Sequence, residues 1–529
     1  MRGRLAPALA LLASAAILVE GAVLIFGPEP RLAHLFYDDA FYYLQVAKNL
    51  AAGAGSTFDG FHVTNGYHPF WCWMLVPIFW VTKDPGVGMR VAAGLWFLLA
   101  ALVPPAMYAV VRPRTGEWGA ALAAVGTLHP FLVLHLQRPN GLETPLFALL
   151  LLVFVGAFER VMGGDRRSSP VHLLGLGALL GAVILARMDA GLFALAAAAI
   201  LLLRHRTRAL ALVTLGAAIV AGPSLVWNTV AFGSPMPISG RVVRAYEEKA
   251  GAVRQSRLRV AADELPTLGA RHAMEGTPPA RWIAASGPIG GVLLLAAGAS
   301  LVGAALLRRR DQGPFDALAL LSLGSAIHFA VYAFWFWTGG EEALFRLYYF
   351  MPEGLTLAAA CGASFSPVIA RRSAALALLV MSVYLALACR ASFAHAPPDR
   401  EPMTRHHLYG WVREHLPEDA VLAMLGSGRL GYFSGRRVVN LDGLINGTEF
   451  LEALKRDDVD GFLFRSQAGY VVTHRGSLFG FDPDDPKKPP SRHEDMGETL
   501  YRLVARHGCR LHTIPGTPDT TVVVEIVRP

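Results

Sequence analysis

Apolar residues along this chain gather in runs of about 18 to 22 without a charge, enough to cross a bilayer core as helix. The runs predict helices at 6–27, 88–111, 117–136, 141–158, 172–187, 190–203, 209–231, 285–307, 315–337, 345–365 and 373–391. The first contains Ala13-Ser14-Ala15 after two arginines, in the manner of a cleaved signal peptide. It stays apolar through Phe26, too long for a secretory core, so an uncleaved span is expected. One segment decides the sidedness of all that follows. His68–Val81 is short, rich in Trp and Phe and broken by Pro69 and Pro77, which suits an interfacial or re-entrant element. Left out of the count, it gives about eleven spans.

Charge agrees with that count. The arginine groups Arg2/Arg4, Arg112/Arg114, Arg160/Arg166/Arg167, Arg204/Arg206/Arg208, Arg308/Arg309/Arg310 and Arg371/Arg372 then all fall on the cytoplasmic side. A twelfth span would move all but the first outside. The N-terminus is thus expected inside a cytoplasmic (inner) membrane and the C-terminus outside. Composition fits: 53% of residues are hydrophobic and 17% charged, against about 25% charged in soluble domains. The net charge of +8 sits in the loop arginines rather than in a basic stripe with aromatics, so nucleic acid is not an expected partner. Cys72, Cys361, Cys389 and Cys509 are too scattered to form a metal pattern.

This topology leaves outer segments at about 27–86 and 232–284, and an outer tail from 394 to 529 beyond a membrane module of 1–393. In the tail, β-rich runs (420–425, 437–441, 470–473, 520–527) alternate with helical stretches (403–416, 449–455, 498–507), the pattern of a small soluble α/β domain. No internal repeat is visible, which weakens an inverted-repeat transporter.

The densest chemistry lies in the first outer segment: Tyr37-Asp38-Asp39-Ala40-Phe41-Tyr42-Tyr43-Leu44, then Lys48-Asn49-Leu50, Gly53-Ala54-Gly55-Ser56-Thr57-Phe58-Asp59-Gly60, and Thr64-Asn65-Gly66-Tyr67-His68-Pro69-Phe70-Trp71. Asp38 sits where a helix would begin, so it or Asp39 can cap free amides. Neighbouring helical positions diverge by about 100°, so one carboxylate can face a cavity while the other holds backbone or a cation. The plainer reading makes both only a cap on a solvated loop.

This string resembles the first periplasmic loop of GT-C fold glycosyltransferases that use polyprenyl-phosphate sugars. These are the protein O-mannosyltransferase and lipid A aminoarabinose transferase relatives, and the bacterial RgtA/B/C/D-like group in particular. The likeness continues in Asn140-Gly141-Leu142-Glu143-Thr144, Ala186-Arg187-Met188-Asp189, Phe232–Gly240 and Arg346-Leu347-Tyr348-Tyr349, covering roughly 1–365. The resemblance implies a polytopic α-helical membrane protein with a GT-C-like core of about eleven transmembrane helices. It also implies inverting transfer of a sugar from a polyprenyl-phosphate donor to an envelope glycan, lipid or protein acceptor. Asp38 matches the family's general base, Asp39 its acidic neighbour and Glu143 the acid of the next outer loop. A divalent cation on Asp38, Asp39 and Glu143 is optional in the fold, and two adjacent aspartates do not specify one.

The chemistry suits these residue types. An attacking hydroxyl must shed its proton as the anomeric bond forms, which a carboxylate can accept. A departing lipid phosphate needs cations or hydrogen-bond donors near the headgroup plane, expected from Arg187, Arg346, Tyr348 and Tyr349. Each has a plainer alternative: Arg187 with Asp189 as a turn ion pair, Arg346 and its tyrosines as an interfacial anchor. Glu20 and Glu353 could snorkel, and His328 reads as a packed helix residue. Gly233–Gly240 reads as an ordered outer loop able to close over a site.

Three motifs mislead. Gly426-Ser427-Gly428-Arg429-Leu430-Gly431 fits a dinucleotide fingerprint, but Gly435 and the next β-rich run leave no room for a long helix. Asp482-Pro483-Asp484 lies in a Pro- and Lys-rich loop, and Asn446-Gly447-Thr448 is a sequon. The rival readings are en bloc oligosaccharide transfer, a flippase or transporter of lipid-linked sugars, and a non-catalytic assembly subunit. The tail lacks the Trp-Trp-Asp signature of the first.

Overall fold

The computed structural model describes residues 5–128, 140–163, 169–249, 316–331, 351–363, 400–474, 509–514 and 521–526. Helix α1 (Leu5–Ile25) is followed by two short helices, α2 (Glu29–Leu35) and α3 (Asp38–Ala51). Then come α4 (Pro69–Val81), α5 (Pro85–Gly126), α6 (Thr144–Gly163), α7 (Pro170–Ala186), α8 (Gly191–Leu203), α9 (Thr207–Phe232), α10 (Ile238–Lys249), α11 (Asp316–Val331) and α12 (Met351–Ala363). Among the described residues, four helices are long and apolar enough to cross a membrane: α1, α5, α6 through Met162, and α9. Helices α4 and α7, Met188–Leu203 and Ala317–His328 are apolar but shorter.

Most expected spans appear within a few residues of their places. The pair 88–111 and 117–136 forms the long α5, which breaks at Gly116, with φ 71° and ψ −176°. The break falls where the arginine-rich loop was expected. Within His68–Val81, Pro69–Val81 is a helix of 13 residues with Pro77 inside, below spanning length. The expected spans 285–307 and 373–391 lie outside the described residues, so the count of eleven stands only as an expectation. Apolar side chains of α1, α5, α6, α7, α8, α11 and α12 join one core that continues through α3 and into the tail.

The tail holds α13 (Arg400–His415), β1 (Val421–Met424), α14 (Gly428–Phe433), β2 (Arg437–Asn440), α15 (Thr448–Lys455), α16 (Val459–Arg465), β3 (Tyr470–His474), β4 (Cys509–Thr513) and β5 (Thr521–Ile526). These strands make one mixed sheet in the order β2-β1-β3-β5-β4. Strands β2 and β3 run parallel to β1, while β5 is antiparallel to β3 and β4. Successive residues of a strand face opposite sides. One side of the sheet (Leu422, Val438, Val472, Val523) therefore joins the main core with Leu408 and Val412 of α13. The other (Val421, Ala423, Val439, Val471, Val524) packs under α15, α16 and Ile238, Val242 and Tyr246 of α10. Strand β4 was not expected from the sequence, and the expected helix 498–507 lies outside the described residues.

Candidate active site at the helix ends

Helix α3 starts at Asp38, and Tyr37 in its N-cap place makes no side-chain cap. Asp38, the first residue of the helix, turns its carboxylate to the tail. Residues i and i+4 share a helical face. Asp38 and Tyr42 lie on the face toward the tail, and Asp39 and Tyr43 on the neighbouring face toward the helical core.

On the tail side, Asp38 Oδ2 accepts from the Gly428 amide at 2.7 Å, and Oδ1 from the Arg429 amide at 3.0 Å and Arg429 Nη1 at 3.3 Å. Arg429 also donates to the carbonyls of Ala33 (3.0 Å) and Phe36, closing the α2–α3 corner. A Cβ on Gly428 would lie 2.1 Å from the Asp38 carbonyl oxygen, so only glycine permits this approach. The nucleotide-like glycine string is thus a clasp for α3, opening a helix of six residues. Tyr42 bonds Asp442 Oδ2 (2.9 Å), which also accepts from the Gly426 amide (2.8 Å). Thr64 Oγ1 donates to the Asn446 carbonyl at 3.1 Å, and the Ile238 amide donates to Asn65 Oδ1 at 2.9 Å, tying the loop between tail and α10. Asn446 is buried with its amide bonded to the Asn440 carbonyl at 2.6 Å, which closes the sequon to modification in this fold.

On the core side the central group is Glu143, 2% exposed. Its position is built by the Asn140–Thr144 motif. Asn140 accepts from the Leu142 amide (3.0 Å) and from Trp96 Nε1 (3.2 Å), while Trp71 Nε1 donates to the Gly141 carbonyl at 3.0 Å. Gly141 has φ 72°, and a Cβ there would stand 2.6 Å from Ala40 Cβ, so its lack of a side chain lets the motif lie against α3. Tyr43 then donates to Glu143 Oε2 at 3.0 Å. Glu143 Oε1 faces His68 Nε2 at 3.6 Å and Arg187 Nη1 at 3.9 Å.

Arg187 is 1% exposed and forks onto Asp189, Nε to Oδ1 at 3.1 Å and Nη2 to Oδ2 at 2.6 Å, with Phe147 beneath its guanidinium. The expected turn ion pair is present, and it is one link in a longer chain. Asp189 Oδ2 is 3.4 Å from His328 Nε2, and His328 Nδ1 is 2.8 Å from Glu353 Oε1. His328 therefore does more than pack, and Glu353 is buried rather than snorkelling. The Met188 amide donates to His68 Nδ1 at 3.4 Å, which leaves Nε2 as the protonated nitrogen facing Glu143. Burial pushes His68 below the ordinary histidine range, and Arg187 pushes the same way against Glu143 and Asp189. It is neutral near pH 7.

Of the expected site residues, Glu143 and Arg187 come together with the Asp39–Tyr43 face, while Asp38 is committed to the tail. Arg346, Tyr348 and Tyr349 lie outside the described residues. Among the described residues no group of three or more acids, histidines or cysteines is placed to hold a metal ion. Sequence reasoning missed Tyr43, His68, His328 and Glu353 as partners. Tyr43 and His68 were inside the quoted motif; the last two carried only the signal of polar residues within apolar runs.

Comparison with known proteins bears on this arrangement. A family model of dolichyl-phosphate-mannose-protein mannosyltransferases matches residues 67–227, which include His68, Glu143, Arg187 and Asp189. A model of a domain of unknown function matches residues 399–523, the tail. No curated protein sequence matches the chain. Among solved structures, the oligosaccharyltransferase of Archaeoglobus fulgidus, in complex with Zn and sulfate, superimposes with a TM-score of 0.54 at 13% identity, over 99% of this chain and 74% of that one. AglB from the same organism, with an inhibitory peptide and a dolichol-phosphate, gives 0.50 at 14% identity over 98% and 74%. ArnT from Cupriavidus metallidurans in the apo state gives 0.45 at 14% over 97% of both chains. The chain has the GT-C fold, and the mannosyltransferase family model covers residues 67–227 of it.

Proposed function

We propose that this protein is an inverting glycosyltransferase of the cytoplasmic membrane that moves a sugar from a polyprenyl-phosphate donor to an acceptor hydroxyl at the outer face. The observation that carries the reading is the gathering of Glu143, Tyr43, His68 and Arg187 from three separate segments under the face of α3 that bears Asp39. Apolar helices surround the cluster, as a donor whose tail stays in the bilayer requires. The dolichol-phosphate held by AglB, of like fold, supports a lipid-phosphate carrier.

In this reading the acceptor oxygen bonds to the anomeric carbon as the carbon–phosphate-oxygen bond breaks. The hydroxyl proton passes to Asp39, and polyprenyl phosphate departs with the bonding electrons. In this reading Asp39 takes the base role, and Asp38, whose two oxygens accept from Gly428 and Arg429, holds the tail. Glu143, opposite Arg187, orients the acceptor, and neutral His68 offers it a donor. Arg346, Tyr348 and Tyr349 are the proposed contacts of the donor phosphate, while Arg187 serves to hold Glu143 and Asp189. A cation on Asp39 and Glu143 remains optional, and no step is drawn through it.

En bloc transfer of a longer lipid-linked glycan is a second reading, favoured by the fold likeness to an oligosaccharyltransferase. The mass added to the acceptor separates the two. The test is Asp39→Asn in membranes carrying lipid-linked sugar: transfer is lost while the protein inserts and folds normally. Transfer at the wild-type rate would remove Asp39 from the mechanism.

A further inference from the structure

The chain of buried polar groups does not end at Asp189. We propose that His328 is a positioning residue of this site, holding Asp189, and through it Arg187 and Glu143, in the register that sugar transfer needs. This inference rests on the transferase reading.

Three observations carry it. First, the contacts run unbroken from the site inward: Glu143 to Arg187, Arg187 to Asp189, Asp189 to His328, and His328 to Glu353. They join α6, the α7–α8 turn, α11 and α12. Second, the same helices are already held together without His328. Phe193, one turn beyond Asp189 on α8, lies against Gly324, one turn before His328 on α11. Ser325 and Thr356 share a hydrogen bond of 2.7 Å between α11 and α12. Third, the arrangement is costly. Two carboxylates and an imidazole are withdrawn from water beside apolar helices, and Glu353 Oε2 is left without a partner. Well-packed apolar side chains would join these helices with no such penalty. A buried polar chain that ends at a proposed active site, where packing alone suffices, points to a task at that site.

The task follows from the geometry of Arg187. Its fork ties the guanidinium to Asp189, which sits on a one-turn 3₁₀ segment between two helices. His328 Nε2 stands against Asp189 Oδ2, the same oxygen that takes Arg187 Nη2. It thereby sets where the guanidinium lies, and with it the 3.9 Å approach of Nη1 to Glu143. Glu353 holds the far side of the imidazole.

The experiment compares His328→Gln with His328→Asn in purified, detergent-solubilised protein. The Gln amide nitrogen falls near Nε2 and keeps the Asp189 contact, whereas the Asn nitrogen falls near Nδ1 and keeps only Glu353. His328→Asn is expected to lower kcat by about 30-fold or more with KM for donor and acceptor little changed, and His328→Gln by about 3-fold or less. Ser325→Ala, which removes another polar link between the same helices, keeps the wild-type kcat. Equal kcat in the Gln and Asn variants, or a loss confined to KM, overturns the positioning role. If His328→Asn is not recovered folded, Asp189→Asn is read instead: a comparable fall in kcat supports the role, and a normal kcat overturns it. A wild-type protein without transferase activity would instead overturn the reading on which this inference stands.

Discussion

Replacing Asp38 by alanine separates docking from chemistry. The substitution removes the acceptor of three hydrogen bonds, from the Gly428 amide, the Arg429 amide and Arg429 Nη1. Arg429 keeps its carbonyl partners at Ala33 and Phe36, so its side chain stays partly satisfied. The two amides do not. Leaving a partly buried donor unpaired costs about 1–3 kcal/mol each. The Asp38 side chain is 20% exposed, so water can reach part of the gap and the lower half of that range applies. The expected loss of tail docking is about 2–4 kcal/mol, or roughly 30- to 1000-fold in the opening equilibrium. Hydrogen exchange at Gly428 and Arg429 reads it directly: both amides should exchange faster by that factor in Asp38→Ala and at the wild-type rate in Asp39→Asn. Unchanged protection in Asp38→Ala would refute the clasp. Loss of transfer in Asp38→Asn with full protection of both amides would return the base role to Asp38.

Other outcomes follow from the same contacts. Glu143→Gln keeps an acceptor for Tyr43 but leaves Arg187 without its second carboxylate; transfer should fall by about 100-fold or more, measured as initial rate, with a folded protein. Arg187→Lys loses the fork onto Asp189 inside a site 1% exposed, and thermal unfolding should register about 2–4 kcal/mol of destabilisation. His68 has its folded value below the unfolded one, so its share of stability is present above the ordinary histidine range and lost as pH falls through the depressed value. A thermal unfolding series from pH 7.5 down to 5 should show that decline, and His68→Asn should flatten it.

The parts of the fold legible in the sequence were those set by local periodicity. Apolar runs marked the helices, the arginine cluster at 112–114 marked the break in α5, and alternation in the tail marked four strands of the sheet. Strand β4, Cys509–Thr513, escaped because its alternation of Arg, Leu and His reads equally well as loop. The site was half legible. Glu143 and Arg187 were named from the sequence, where both fall at ends of expected spans. The contact of Asp38 with the tail was not, because it depends on a glycine turn nearly 400 positions away, which no local pattern encodes. His328 and Glu353 are spaced 25 apart on different helices, and only the packing of α11 on α12 joins them.

The central claim is chemical: a sugar leaves a lipid phosphate and joins an acceptor with inverted configuration. Purified protein in vesicles, given a polyprenyl-phosphate sugar and an envelope acceptor, tests it by NMR of the product anomer alongside mass spectrometry of the lipid. The account predicts an inverted linkage and one polyprenyl phosphate released per sugar transferred. Recovery of the intact lipid-linked sugar in the opposite leaflet, with no bond broken, would contradict it.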